Sequence, residues 1–205
     1  APRVRAQVAE PLLQAQNASF FRDADEAGGI RFLRDRVRLG ALVLEAESAL
    51  DQTLPGDSVQ VDALDLLCEG SQQVLVRNSR ISLLIEPRHG GRIAALDHKP
   101  RKHPWGCPTS PYPVLSERLF ASGDASGTEA ESVSDFDDRR FDVQYKRTGQ
   151  DLQILLSGQV HLRLGGLDHP LFFEKTLTLR SGKSNVSVAY KLTNTSQHLL
   201  MFGFM

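Results

Sequence analysis

Cysteine is nearly missing from this chain: Cys68 and Cys107 are the two in 205 residues. They form neither a CxxC pair nor a cluster with histidine at zinc-ligand spacing, so nothing supports a metal centre. Two readings stay open for them, a pair of free thiols or, in an oxidising compartment, one disulfide. An excess of one charge is also lacking, with 24 Lys+Arg against 25 Asp+Glu and a net charge of -1. Nucleic-acid binding asks for a basic excess on one face, and the balance argues against it. No apolar run approaches the ~20 residues of a membrane-spanning helix. The opening Ala1-Pro2-Arg3-Val4-Arg5 carries no apolar signal core behind its basic residues. A cytoplasmic place is therefore expected, with export left open. There is no glycine-rich phosphate loop, no Ser/His/Asp set in a strand-turn-helix context and no HExxH. No cofactor and no catalytic residue is expected on these grounds.

What is present divides in two. Residues 29–53 contain no proline, and Ile30, Leu33, Val37, Ala41, Leu44 and Ser48 recur at helical spacing. A second stripe, Phe32, Leu39, Leu42, Val43, Ala46 and Leu50, runs round another side. A helix apolar on two sides packs between neighbours, here residues 4–16 and something beyond the chain. Pro55-Gly56-Asp57 ends it. From Ser58 the period becomes that of strands: residues 59–61, 73–76, 80–85, 91–96, 141–145, 152–156, 159–164, 171–179, 185–192 and 199–204. Glu69-Gly70, Asn78-Ser79, His89-Gly90-Gly91 and residues 180–184 punctuate them as turns. Short strands without intervening helices predict an antiparallel sandwich or barrel. The expected division is a helical segment over 1–55 and a sandwich over 58–205. The apolar run Met201-Phe202-Gly203-Phe204-Met205 would leave an exposed edge, which sheets avoid; it reads as a sandwich cut short at its C-terminus.

Two loops break the strand pattern between residues 97 and 138. His98-Lys99-Pro100-Arg101-Lys102-His103-Pro104-Trp105 is basic and proline-broken, and residues 122–138 are acidic and rich in Gly and Ser. Irregular stretches of this length are usually functional or disordered.

Residues 15–23, Ala27-Gly28-Gly29-Ile30 and the helix ending Glu45-Ala46-Glu47 resemble the helical-bundle motif of family-57 glycoside hydrolases, the amylases and 4-α-glucanotransferases. Residues 64–70 and 74–78, Ile85-Glu86-Pro87, Gly90-Gly91-Arg92-Ile93, Leu96-Asp97, residues 173–179 and residues 188–192 resemble that family's C-terminal sandwich. The resemblance covers most of the chain and implies a mainly β fold, an antiparallel mutarotase-like β-sandwich (a supersandwich) preceded by a short helical segment. It also implies a partner: the family's catalytic carboxylates lie in an N-terminal β/α barrel that this chain lacks. The Trp and His of the family's bundle motif are replaced here by Phe21 and Arg22.

Three functions are carried forward. The first is a non-catalytic C-terminal region of a family-57-like α-glucan-acting enzyme, supporting a barrel and holding glucan. The second is a stand-alone carbohydrate-binding or structural module, and the third a mutarotase-type epimerase. Glycoside hydrolysis needs two carboxyl groups on one sugar, roughly 5 Å or 6.5–9.5 Å apart. Glu117, Asp124, Glu129, Glu131, Asp135, Asp137 and Asp138 are the candidates, and a solvated loop is the expected setting for all of them. The histidine of His89-Gly90-Gly91 suits an epimerase, whereas its glycines suit a turn needing positive φ. Carbohydrate contact is assigned to Trp105, Tyr112 and His103, since aromatic rings offer an apolar face with a polar handle to a pyranose. The alternative is a loop anchored by Trp105 against the sandwich edge.

Overall fold

The structure, a computed structural model, describes residues 2–16, 33–51, 58–65, 70–105, 114–121 and 134–204. Two helices lead, α1 (Pro2–Ala15) and α2 (Leu33–Asp51). Strands β1 (Gln60–Leu64), β2 (Gln73–Arg77), β3 (Ile81–Glu86), β4 (Arg92–His98) and β5 (His103–Trp105) form one antiparallel sheet in chain order. A second sheet has the order β10-β9-β8-β7, built from β7 (Asp142–Thr148), β8 (Asp151–Leu164), β9 (Leu167–Leu179) and β10 (Val186–Asn194). A short ribbon pairs β6 (Leu119–Ala121) with β11 (Phe202–Phe204).

The two sheets share one core. Val74, Val76, Ile81, Leu83, Ile85 and Ile93 of the first sheet meet Leu152, Ile154, Leu156, Leu171, Phe173, Leu177 and Leu179 of the second. The fold is therefore mainly β, a sandwich preceded by helices, as the alternation predicts. Alternation is strict along β9, where residues 169, 171, 173, 175, 177 and 179 are buried. β3 is buried along its whole length, and the small cluster of Leu84, Ala94 and Ala95 lies outside the main core. A bulge makes this possible: Leu84 pairs with Ala95 and Ile85 with Ile93, so Ala94 is the extra residue. Without it, Leu96 would turn away from the core it packs against.

Asn78 fastens one sheet to the other. Its side-chain amide donates to the carbonyls of Arg180 and Lys183, each at 3.0 Å, in the turn between β9 and β10. Its Oδ1 accepts from the amides of Arg80 at 2.7 Å and Ile81 at 2.9 Å. One side chain thus satisfies two turns.

Two expectations need correction. Residues 152–156 and 159–164 are one continuous strand, because Gly158 is a point of close approach and not a turn. A Cβ there would meet Phe141 Cδ1 at 2.5 Å. The stretch 97–138 is also less irregular than its composition suggests, since β5, β6 and short 3-10 turns at Lys99–Arg101 and Phe136–Asp138 lie within it. The predicted turn at His89-Gly90-Gly91 is present, with φ of 64° and 67° at the glycines. His89 is half-buried, its Nδ1 3.0 Å from the Asp137 carbonyl oxygen. The expected boundary near residues 55–58 falls partly on residues 52–57, outside the described residues, and so do both cysteines. No described helix is long and apolar enough to cross a membrane.

Candidate functional site

The basic loop is turned toward α2. Lys99, 2% exposed, places its ammonium 2.5 Å from Asp51 Oδ2 and 3.0 Å from Glu47 Oε1. Lys102 Nζ reaches Glu45 Oε2 at 2.9 Å. The same helix touches β5 so closely that a Cβ on Gly40 would stand 2.5 Å from Pro104 Cγ. Gly40, Leu44, Glu47 and Asp51 follow helical spacing, so one stripe of α2 faces the sandwich. Two of the loop's three Lys and Arg side chains, Lys99 and Lys102, are thus engaged by helix carboxylates.

Asp97 lies beside this clamp. Its carboxyl is pushed up to about 6, first by burial and then by the charge of Glu47, with Lys99 pulling the other way. Among the residues assigned to carbohydrate, His103 is half-buried and pairs with His98 across β4 and β5. The backbone of Trp105 pairs with Leu96 at the end of β5. Tyr112 and the Trp105 side chain lie outside the described residues.

A second polar cluster is sealed between the sheets. Lys175 takes an inward position on β9 between Phe173 and Leu177 and has no exposed surface. Its ammonium lies 2.6 Å from Glu117 Oε1 and donates to the Gly91 carbonyl at 3.1 Å. Tyr190, opposite Lys175 in the β9–β10 register, donates its hydroxyl to the same Glu117 oxygen at 2.8 Å. Burial pulls the Lys175 amine below its ordinary value, opposed by the Glu117 charge. Burial and then the Glu117 charge push the Tyr190 phenol up.

Glu117 is therefore no solvated loop acid, which corrects the reading from composition: it is 4% exposed and committed to a lysine. Asp135 is likewise fixed. Arg139 Nε donates to its Oδ2 at 2.6 Å and the His161 amide to its Oδ1 at 2.8 Å. Burial works against the Asp135 charge, but these donors hold its carboxyl below the usual range. Asp137 and Asp138 are exposed, and Asp124, Glu129 and Glu131 lie outside the described residues. Composition does not single out Lys175; its sequence signal is a lysine in period-two step with Leu171, Phe173, Leu177 and Leu179. Among the described residues no cluster of His, Cys, Asp and Glu is arranged to hold a metal ion.

No family model and no curated protein matches this chain. Among solved structures, a 4-alpha-glucanotransferase from Thermococcus litoralis resembles it with a TM-score of 0.62 at 14% identity. The likeness covers 96% of this chain and 35% of that one, so the chain spans about a third of the neighbour's length. At this identity the likeness is one of fold, taking in helices and sandwich together.

Proposed function

We propose that this chain is the non-catalytic helix-and-sandwich part of a family-57-like, α-glucan-acting protein, seating a catalytic barrel and presenting a glucan contact at His103, Trp105 and Tyr112. One observation carries the reading: a likeness to a 4-alpha-glucanotransferase that runs through both helices and sandwich over 96% of the chain. The clamp of Lys99 on Glu47 and Asp51 fits a supporting role, because it fixes α2 on the sandwich. The barrel, in the same polypeptide or a partner chain, supplies the carboxylate pair. Glu117 is a poor substitute, being held by Lys175 out of reach of a sugar.

A stand-alone structural module is the second reading. It is favoured by the engagement of Lys99 and Lys102 with α2, which makes the loop a clamp. The two readings part at Trp105, the sole tryptophan. In the first, maltooligosaccharides shift its fluorescence saturably, and Trp105→Ala abolishes binding while leaving unfolding almost unchanged. In the second, no sugar response occurs and Trp105→Ala costs about 3–5 kcal/mol. Absence of a saturable shift removes glucan contact from the proposal.

A further inference from the structure

The contact between α2 and the sandwich holds two carboxylates on one ammonium and brings a third within reach of their charges. Glu47 and Asp51 reach the ammonium from the helix, at 3.0 and 2.5 Å from Lys99 Nζ. The sheet register places the third. Asp97 of β4 is the direct partner of Pro104 on β5 and of Ser82 on β3. Directly paired residues of an antiparallel sheet share a face. Pro104 is the residue that Gly40 of α2 nearly touches, so Asp97 lies on the face that α2 covers. Glu47 lies seven residues beyond Gly40, on the same stripe.

Among the described residues, Lys99 is the one cation whose charge acts on the Asp97 carboxyl. Ser82 is a buried hydroxyl and Pro104 is uncharged. Strand alternation turns His98 and His103, which pair with one another, to the other face. Arg80, whose carbonyl accepts from the Lys99 amide at 2.9 Å, keeps its side chain exposed to solvent. Lys102 is bound to Glu45 at 2.9 Å, and Arg38 of α2 is exposed. With all three carboxylates ionised, the buried contact carries an excess of negative charge that a single lysine does not neutralise.

We propose that the seating of α2 on the sandwich is proton-linked: Asp97 takes up a proton when the helix docks and releases it when the helix lifts. The helix clamp is then tighter in mildly acidic solution than in neutral solution. The sign follows from linkage. A carboxyl raised in the docked state binds its proton there and loses it when undocked. The stabilisation is full below the ordinary carboxylate value and is lost as pH rises toward about 6.

Amide hydrogen exchange of the full chain, corrected for intrinsic rates, tests this by comparing α2 with β8 and β9 at pH 5 and 7.5. The opening equilibrium of α2 is expected to rise on the order of tenfold over that interval, with β8 and β9 unchanged. Asp97→Asn should abolish the rise. Glu47→Gln should shrink it, since it removes the repulsion while keeping the residue's shape. An α2 profile in wild type that is flat, or that is matched by both variants, overturns the proposal. Should Asp97→Asn fail to fold, the wild-type and Glu47→Gln profiles decide it alone.

Discussion

Tyr190 and Lys175 converge on a single oxygen, Oε1 of Glu117, at 2.8 and 2.6 Å. The contact joins the strand pair β9–β10 to the segment that leads into β6. An ion pair removed from water gains stability over apolar residues only when its geometry and hydrogen bonds are good, whereas breaking one leaves a buried charge alone. Glu117→Ala should therefore cost about 3–5 kcal/mol in urea denaturation. The double replacement Glu117→Leu with Lys175→Met should recover most of that loss. Equal costs for single and double variants would show that the pair is not buried as described.

Tyr190 gives the cluster an alkaline signature. Its phenol is pushed up in the folded chain, by burial and then by Glu117. Above about pH 10 the unfolded chain loses the phenolic proton while the folded chain keeps it, so folding stability falls as pH rises through that range. The alkaline fall should be shallower in Tyr190→Phe than in wild type. The Tyr145 phenol, also pushed up by burial, leaves a residual slope. Identical profiles between pH 9 and 11 would detach Tyr190 from Glu117.

Gly40 makes the helix seat testable by addition of one carbon. Alanine in a helix interior is normally worth ~1 kcal/mol over glycine. Here its Cβ would stand 2.5 Å from Pro104 Cγ, and overpacking of that kind costs about 1–3 kcal/mol. Gly40→Ala is expected to loosen α2, read as faster amide exchange in that helix. A protein stabilised by the substitution would mean that α2 does not rest on β5.

Leu44, 3% exposed on the same stripe, tests the seat by removal. Leu44→Ala should cost roughly 2–5 kcal/mol if the site does not collapse. A loss below about 0.5 kcal/mol would contradict close packing.

Much of the fold is legible in the sequence because its strands alternate. Residues 171–179 and 185–192 nearly trace β9 and β10, and the helical stripe through Leu44 marks a face that is buried. The sequence misleads where one residue type has two uses. Gly158 falls in the gap between two expected strands, yet it is a strand position left open for the Phe141 ring. Glu117 reads as a loop acid because its adjacent residues, Ser116 and Arg118, are polar, and its partner Lys175 is 58 residues away on β9. The candidate site is subject to the same limit. Lys99 and Lys102 look like free cations in a basic loop, and only the fold brings Glu45, Glu47 and Asp51 to them.

The proposed role, support of glucan chemistry without performing it, is tested most directly by incubating the purified chain with maltooligosaccharides. Product analysis should find no reducing-sugar release and no redistribution of chain lengths, because Glu117 is held by Lys175 and Asp135 by Arg139 and His161. Hydrolysis or disproportionation that disappears in Glu117→Gln, Asp135→Asn or Asp137→Asn would contradict the account.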